Sequence, residues 1–526
     1  MTLPFVYEER LASLKASGQT QLLKHGLIGL EKETLRVGAD GKIAQTPHPQ
    51  ALGSALTHPY ITTDYSEALT EIITPPFSNP CDSLQFLQQA QQFIYRHLEN
   101  NESLWATSMP CVIAGEDSIP IAQYGRSHAG TMKTVYRRGL GHRYGRVMQV
   151  IAGVHFNYSV NELLWPVLQT MEGNKQSQQD FITESYFGLL RNLQRLGWLV
   201  PYLFGASPTV CKSFLGGKPT GLIPLSEYTY YEPYATSLRM GDIGYQNNKE
   251  NEVGVKANYN SLQEYIDSLE HAINTPYPAY EKYGIKINGR YEQLNANLLQ
   301  IENEYYSTVR PKQILAGNEK PVRALQRQGV RYVELRSLDI NTYDPLGVGE
   351  EQLRFLECMM LYCLLKESPP LSKKEQTLFD RNELIVAHHG RQPELQLNQG
   401  QKKISLAQWG SHVLEEMLPL AELLDEGENK SLYQNALNEQ QAKVDDPALT
   451  PSACMLAEVE EKGEEFFTFA MRMSKQHQTT LQALEFPQNM EQQFSDWAKE
   501  SIERQKLIED SDKGTFEEFL QNYFSQ

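Results

Sequence analysis

Two acidic residues at strand spacing are the first feature of this sequence that could carry chemistry. Glu31 and Glu33 are two positions apart in the segment 27–37, which has the composition of a β-strand. Because residues two apart in a strand face the same side of a sheet, their carboxylates would repel each other unless a cation lay between them. The pair predicts a metal site; a solvated strand face is the alternative.

The segment 61–74 contributes three more acidic residues, Asp64, Glu67 and Glu71. If its second half is extended, Glu71 lies on one face with apolar neighbours, where an unpaired charge would be costly. That arrangement favours a ligand role for Glu71. In a helix, by contrast, Glu67 and Glu71 would be neighbours on a wet surface.

An alternating segment, 147–160, places three hydrogen-bonding side chains on one side. Gln149, His155 and Asn157 share that side, while the opposite side is apolar. We interpret the segment as a half-buried strand whose polar face forms a substrate-facing wall. A histidine considered alone, however, is more often a satisfied core residue.

Glu334 and Arg336 also share a face, within a predicted strand at 330–339. A carboxylate and a guanidinium on one face can serve the same site. The alternative is a salt bridge that contributes little to stability.

A positively charged region complements these acidic residues. Between Ser118 and Asn161 the sequence has no Asp or Glu, although the whole chain has a net charge of −17. The region suits one compact anionic ligand better than extended nucleic acid, for which aromatic stacking platforms or a basic domain would be expected. Carboxylates that bind hard cations and arginines that bind phosphate oxygens are the parts of a nucleotide-dependent transfer site. The cationic residues of the region are Arg126, Lys133, Arg137, Arg138, Arg143 and Arg146.

The known nucleotide-binding loops are missing from the sequence. It has no Walker A motif, no protein-kinase signature and no GxGxxG motif. A nucleotide would therefore have to bind mainly through metal ions and side chains.

Composition excludes several other classes of protein. The 526 residues include 48 Lys and Arg against 65 Asp and Glu, which argues against a general nucleic-acid or anionic-membrane binder. Apolar runs such as 359–365 are far shorter than the roughly 20 residues that span a bilayer. Glu8 and Glu9 stand where a signal peptide would be basic. We expect a soluble, cytoplasmic protein that binds neither nucleic acid nor a membrane.

The six cysteines show no CxxC motif and no zinc spacing. We interpret them as scattered, mostly reduced thiols, as in a cytosolic protein. Cys358 and Cys363 lie in an apolar helical stretch, where a buried small hydrophobic residue is expected rather than a redox group. The other cysteines are Cys81, Cys111, Cys211 and Cys454.

The predicted elements favour an α+β fold with one antiparallel sheet that carries the site. We expect residues 1–350 to form the catalytic core and residues 351–526 to form a mostly helical region packed on it. Predicted helices cover 5–25 and about 82–98, and predicted strands cover 27–37 with a hairpin to 42–46, 61–74, 147–160, 291–310 and 330–339.

The motifs together resemble those of the bacterial glutamate–cysteine ligase family. The similarity runs in order over about residues 27–345, which makes it far more specific than any single motif. The helical remainder carries no matching motif. The similar segments are Gly29–Arg36, Thr62–Tyr65 with Glu71, Tyr124–Arg126 leading to Tyr136 and Arg137, Gly153–Asn157, Tyr234–Arg239, Gln300–Glu304 and Glu334–Asn341.

This resemblance implies ATP-dependent joining of the glutamate γ-carboxylate to the cysteine amine through a γ-glutamyl phosphate, the first step of glutathione synthesis. It implies a catalytic sheet similar to that of glutamine synthetase. The substrates would be L-glutamate, L-cysteine and ATP, and the expected oligomeric state is a monomer.

The resemblance also assigns roles to individual residues. Arg336, Glu334 and Arg137 would be catalytic, with Arg336 facing the transferring phosphoryl group. Two or three Mg²⁺ ions, for which Mn²⁺ could substitute, would be bound by Glu31, Glu33, Asp64, Glu71, His155 and Glu334. The glutamyl part would be held by Gln149, Arg239 and Asn303, and the cysteine would be surrounded by Tyr65, Tyr136, Arg137, Tyr245 and Tyr306.

Two alternatives remain open on the sequence, and two others are disfavoured. A glutamate ligase could use a different amine, and a nucleotide- or cation-binding regulator could use the same carboxylates without turnover. A glycoside hydrolase with paired acids explains neither the acid-free basic region nor the missing secretion signal. A bifunctional enzyme that also adds glycine is disfavoured because the helical remainder is short and lacks motifs.

Overall fold

An antiparallel β-sheet lies at the centre of this computed structural model, which describes residues 6–244, 256–400 and 402–526. The strands are β1 (Leu27–Val37), β2 (Ile61–Thr63), β3 (Leu69–Ile73), β4 (Ser103–Leu104), β5 (Val154–Ser159), β6 (Thr209–Cys211), β7 (Ile223–Pro224), β8 (Thr229–Tyr231), β9 (Lys286–Ile287), β10 (Arg290–Tyr291), β11 (Val309–Lys312), β12 (Tyr332–Leu338), β13 (Gln396–Gln399) and β14 (Lys402–Ser405). The main sheet has the order β11-β12-β5-β1-β3-β2, and β4 pairs with the end of β1.

Every strand pair in the main sheet is antiparallel. Helices surround this sheet, so the predicted α+β class is confirmed. Three small antiparallel sheets lie outside it, formed by β6 to β8, by β9 with β10 and by β13 with β14.

The main sheet has one apolar face, which explains why its strands form. Leu30, Phe156 and Leu335 pair across β1, β5 and β12 and are at most 1% exposed. Burying each large apolar side chain contributes about 1.5–3 kcal/mol. The intervening residues of each strand point to the opposite face, where the polar side chains collect.

Helices pack around the sheet and dominate the chain beyond residue 350. They are α1 (Tyr7–Ala16), α2 (Pro80–His97), α3 (His128–Tyr144), α4 (Leu164–Met171), α5 (Gln178–Leu196), α6 (Leu199–Phe204), α7 (Lys212–Leu215), α8 (Leu262–Asn274), α9 (Pro278–Glu281), α10 (Pro321–Gln328), α11 (Glu350–Leu365), α12 (Lys373–His389), α13 (Leu406–Asp425), α14 (Leu432–Asp445), α15 (Pro451–Lys462), α16 (Phe466–Ala483), α17 (Gln488–Ser511) and α18 (Phe516–Phe524). The division of the chain at residue 350 stays a prediction.

Helix α11 is the most deeply buried of the long helices. Its residues from 352 to 365 are all buried, and it contacts α2, α5, α13 and α14. Cys358 and Cys363 are fully buried free thiols within it, as the apolar pattern predicts. Among the described residues, no helix is long and apolar enough to cross a membrane.

Two predicted strands are wrong over half of their length or more. Residues 148–150 form a 3₁₀ turn, and β5 begins only at Val154. Gln149 and Val150 are both buried, so the alternating pattern there does not correspond to a strand with one polar and one apolar face. Between Tyr291 and Val309 the chain is largely irregular. Side chains replace strand pairing there, since Gln300 accepts a hydrogen bond from the Leu294 amide at 3.0 Å.

Two further elements are shorter than predicted. Helix α1 ends at Ala16, and Gly18 then adopts a left-handed conformation with φ of +67° before a short 3₁₀ turn. The expected hairpin after β1 is reduced to a single bridge between Val37 and Ile43.

The expectation of reduced thiols is wrong for two cysteines. Cys111 and Cys211 form a disulfide across 100 residues of sequence, with their Cα atoms 5.4 Å apart. Folding brings the segment after β4 beside β6, a proximity that no local cysteine spacing could indicate. The remaining four cysteines are free.

Ion pairs of His388, a residue of α12, hold the segment that contains Arg239. His388 bonds Glu232 through Nδ1 at 2.6 Å and lies 3.2 Å from Asp242 through Nε2. Burial alone would lower the pKa of His388, but these carboxylates raise it to about 9. The charged imidazole therefore ties α12 to residues on both sides of Arg239.

We expect His388→Gln to weaken the pH dependence of stability. A histidine with a raised pKa stabilises the fold fully below its unfolded value of about 6.5, and that contribution is lost as pH rises through about 9. Urea midpoints of the wild type should fall across this range and those of His388→Gln should fall less. His271→Gln, at an exposed position, is the control. Equal pH profiles for His388→Gln and the wild type would contradict the ion-pair role.

Candidate active site

Strand register collects the acidic side chains on one face of the main sheet. Glu33 lies opposite Glu71 across β1 and β3, and Glu31 lies opposite His155 across β1 and β5. Glu334 of β12 is opposite Asn157 of β5. Residues that pair across strands share a face, so the acids predicted from separate segments meet at one place.

His155 lies at the centre of this acidic cluster. Its Nδ1 is 3.1 Å from Glu31 and 3.5 Å from Glu334, and its Nε2 is 3.5 Å from Glu33. The side chain is only 4% exposed. Because three carboxylates surround the ring, the alternative that His155 is an ordinary core histidine does not explain its environment.

The carboxylates in the cluster have opposite tendencies to ionise. Burial raises the pKa of Glu71 well above its usual value, and Glu31, Asp64 and Glu33 add to the effect through repulsion. Burial also raises the pKa of Glu33, although His155 opposes that shift. A cation placed among these groups would reverse both shifts.

At the other side of the cluster the carboxylates are held ionised. Burial alone would raise the pKa of Glu334, but Lys312, Arg336 and His155 hold it well below the usual range. Burial alone would also raise the pKa of Glu31, but the hydrogen bond with His155 and the charges of Lys312 and His155 together lower it.

Three of these side chains have the geometry of a metal site. Glu31, His155 and Glu334 each offer a ligand atom, and these atoms lie within 4.8 Å of one another. Nε2 of His155 is buried and forms no hydrogen bond with the described residues. Carboxylate oxygens with one imidazole nitrogen suit a divalent cation such as Mg²⁺ or Mn²⁺, so the residues present fit the predicted metal.

A cavity of about 230 Å³ opens directly over this cluster. Except for Leu140, Arg310 and Lys312, every lining residue was predicted from the sequence. The lining residues are Glu31, Asp64, Tyr65, Glu71, Tyr136, Arg137, Leu140, Gln149, His155, Asn303, Tyr306, Arg310, Lys312, Glu334 and Arg336.

Among the described residues, two predicted ones do not line the cavity. Glu33 is 4% exposed and its carboxylate accepts a hydrogen bond from the Gly153 amide at 2.9 Å. Arg239 is 1% exposed and donates a hydrogen bond to the carbonyl of Arg336. Tyr245 falls outside the described residues.

An irregularity in β12 links Arg239 to Arg336. The pairing of β12 with β5 shifts register between Leu335 and Leu338, and a bulge of this kind re-aims side chains. The carbonyl of Arg336 then accepts a hydrogen bond from Arg239 at 2.9 Å. Asp339 lies 3.7 Å from Arg239 and completes the support of this guanidinium.

Gly153 allows this close packing. A Cβ atom at residue 153 would collide with the guanidinium of Arg239, so the glycine lets the buried arginine reach the strand. The same residue donates its amide to Glu33 and accepts from the Glu33 amide at 3.0 Å.

The aromatic and amide side chains form the opposite wall. Helix α3 begins at an N-cap serine, Ser127, which accepts from the Gly130 amide at 3.1 Å, and it carries Tyr136 and Arg137 over the sheet. The Arg137 guanidinium is hydrogen-bonded to the Asp64 carbonyl. Tyr306 donates to Gln149 at 2.8 Å.

The basic region does not act as one surface. Of its six cationic residues, only Arg137 lines the cavity. Arg143 forms a fully buried ion pair with Glu304 at 2.9 Å, and Arg126 pairs with Glu509 on α17 at 2.9 Å. The interpretation of the whole region as a single anion site is therefore wrong, because distant acidic residues pair with its members.

Two cations of β11 near the site were not predicted from the sequence. Arg310 is opposite Glu334, and Lys312 lies 3.4 Å from the Glu334 carboxylate. Their spacing of two residues places both on the site face. That spacing was available as a signal, but the predicted strand ended at 310 and left Lys312 outside it.

The chain is similar to known ligases over nearly its full length. The family model described as glutamate-cysteine ligase matches residues 11–386. A glutamate–cysteine ligase from Alcanivorax borkumensis is 47% identical over 522 residues, covering 98% of this chain and 99% of that protein. The ligase of Azotobacter vinelandii is 47% identical over 521 residues, with 98% of each chain covered.

Two solved structures share the fold. The glutamate–cysteine ligase of Francisella tularensis in complex with AMP has a TM-score of 0.89 and 33% identity, covering 95% of this chain and 98% of that chain. A bifunctional glutathione synthetase from Pasteurella multocida has a TM-score of 0.70 and 24% identity, covering 92% of this chain and 57% of that chain. The second similarity concerns the fold alone.

We expect Glu71→Gln to stabilise the metal-free protein and to weaken its response to Mg²⁺. The substitution removes a charge disfavoured by burial and by neighbouring carboxylates, so stability in EDTA should rise by about 1 kcal/mol. The Mg²⁺ concentration that gives half of the thermal stabilisation should rise at least about tenfold. Glu8→Gln, at an exposed position, is the control. A less stable metal-free variant with an unchanged Mg²⁺ midpoint would rule out a role of Glu71 in a cation site.

Proposed function

Because the chain belongs to the glutamate–cysteine ligase family, we propose that the cavity over the sheet is where ATP, L-glutamate and L-cysteine meet. The protein is an ATP-dependent ligase that forms γ-glutamylcysteine in glutathione synthesis. The roles of its individual residues in this reaction are what we propose. One observation carries it above all: Glu31, Glu71 and Glu334 line the same cavity as the cations of β11 and β12.

The chemical difficulty is that a carboxylate is a poor acyl donor. Transfer of the ATP γ-phosphoryl group to the glutamate γ-carboxylate gives an acyl phosphate, from which phosphate can leave. Negative charge on the transferring group has to be neutralised. Arg336 and Lys312 face this end of the cavity and offer a planar fork and a point charge for phosphoryl oxygens.

Glu31, His155 and Glu334 would hold one divalent cation. Asp64 and Glu71, which line the cavity, and Glu33, which lies 3.5 Å from His155, would be further ligands. When bound, Mg²⁺ or Mn²⁺ would supply charge neutralisation at the phosphate oxygens. Glu334 connects the two functions, because it belongs to the metal set and lies 3.0 Å from Arg336.

The glutamyl part of the substrate would be held by Gln149, Arg239 and Asn303. Gln149 and Asn303 line the cavity. Arg239 is buried beside the cavity and donates a hydrogen bond to the carbonyl of Arg336. Arg239 would contribute to glutamate binding next to Arg336, the residue that faces the phosphoryl group.

The amine substrate would lie against Tyr65, Tyr136, Arg137 and Tyr306, with Tyr245 completing the group. A wall of this size suits an amino acid, and ammonia would leave it largely unfilled. The attacking amine must be deprotonated, so a carboxylate or a phosphate oxygen has to accept its proton. Phosphate then leaves from the tetrahedral intermediate.

Two broader expectations are also part of the proposal. The protein would act in the cytoplasm and as a monomer. Its residues 1–350 would form the catalytic core, with the later helices packed on that core.

The reaction can be tested by measuring phosphate release with glutamate alone, cysteine alone and both together. We expect full release only with both amino acids, because cysteine completes the turnover. Ammonia or alanine in place of cysteine tests the amine. Equal release without cysteine would point to a hydrolase, and equal turnover with ammonia would contradict the amine site.

We expect Arg336→Lys to lower kcat by about 100-fold or more while changing the KM for ATP by less than about threefold. Lysine keeps the positive charge but loses the planar fork that can contact two phosphoryl oxygens. Steady-state kinetics with varied ATP measure both constants. Arg331→Lys, at an exposed position next to β12, is the matched control. A change confined to the KM for ATP would make Arg336 a ground-state binding residue.

A further inference from the structure

Helix α18 packs on α3, which carries Tyr136 and Arg137, although it is far from both residues in sequence. Positions 517, 518, 521 and 522 of this helix are exposed. The remaining positions recur at spacings of three and four and form an apolar face. That face consists of Phe516, Phe519, Leu520, Tyr523 and Phe524.

This apolar face completes a small core separate from the main one. Leu520 is 6% exposed and packs in a cluster with Met132 and Val135 of α3 and with Leu294 and Ile301. Tyr136 packs against the same cluster. The helix that carries Tyr136 and Arg137 is therefore supported on its outer side by α18.

A second cavity, of about 320 Å³, separates α18 from the first cavity. Tyr136, Arg137 and Asn303 line both cavities. Phe519 and Tyr523 of α18 form part of the outer wall of the second cavity. The side chains of Tyr136, Arg137 and Asn303 thus lie between the first cavity and the second cavity, which α18 borders.

Polar contacts fix α18 in place. Thr515 and Glu518 form a capping box at its start. At its end, Lys320 donates to the Phe524 carbonyl at 3.2 Å and lies over the Tyr523 ring. Just before the helix, Asp512 accepts from the amide of His128, the first residue of α3.

We propose that α18 is a positioning element for the amine substrate, which sets the orientation of Tyr136 and Arg137 through the small core. The proposal rests on the proposed function, in which these two residues contact cysteine. No residue of α18 touches the first cavity, so its effect passes through α3. Displacing a binding group by about 1 Å can lower catalytic efficiency by about 100-fold. Helix α18 also lies beyond the part of the chain that the family model matches.

The test compares Leu520→Ala, Phe519→Leu and the matched control Asn522→Ala in the full-length protein. Asn522 is on the exposed face of the same helix. We expect Leu520→Ala to raise the KM for cysteine about tenfold and Phe519→Leu about threefold. The KM values for glutamate and ATP, and kcat at saturating cysteine, should stay within about twofold of the wild type. Tyr523→Phe, which keeps the ring, should retain the wild-type KM for cysteine.

Thermal unfolding separates positioning from a merely structural role. Phe519→Leu keeps an apolar side chain, so it provides a folded variant if Leu520→Ala unfolds. A loss of active enzyme with unchanged KM for cysteine would overturn the proposal. So would a rise confined to the KM for ATP, or equal effects of Leu520→Ala and Asn522→Ala.

Tyr136→Ala distinguishes failure of this inference from failure of the proposed amine site. If Tyr136→Ala raises the KM for cysteine and the α18 variants do not, the positioning role is wrong and the amine site stands. If Tyr136→Ala also leaves that KM unchanged, the assignment of Tyr136 is wrong and the positioning role falls with it.

Discussion

Repulsion among carboxylates on one face of an antiparallel sheet is the constraint on which the rest of this structure depends. Glu33 stands directly opposite Glu71, an arrangement that destabilises strand pairing. The apolar back face compensates, because Leu30, Phe156 and Leu335 bury their side chains across three strands. Stability therefore comes mainly from the apolar face of the sheet, and the carboxylates that repel each other lie on the opposite face.

The charges around the cavity are graded from one side to the other. Next to β11 and β12, Lys312 and Arg336 keep Glu334 ionised. Next to β3, Glu71 has no ion pair of this kind among the described residues, and its carboxyl favours the protonated form. A polyanionic nucleotide would be attracted to the first side. The second side gains most from a bound cation.

The sequence predicted the chemistry of the site better than the local structure around it. Spacing of two residues placed Glu31 with Glu33, because strand geometry fixes which side chains share a face. The predicted strand at 147–160 failed over its first half, yet Gln149 still lines the cavity because a 3₁₀ turn carries it there. Ion pairs with distant partners, such as that of Arg143 with Glu304, could not be predicted from a local charge count.

The long separation between paired strands has a consequence for how activity arises during synthesis of the chain. Glu31 meets His155 across 124 residues of sequence, and β12 joins the sheet only after residue 332 has been made. Contacts of such high sequence separation form late and slow the folding of a domain. No short fragment can assemble this site, so a nascent chain remains inert until most of its length has emerged and collapsed around the sheet.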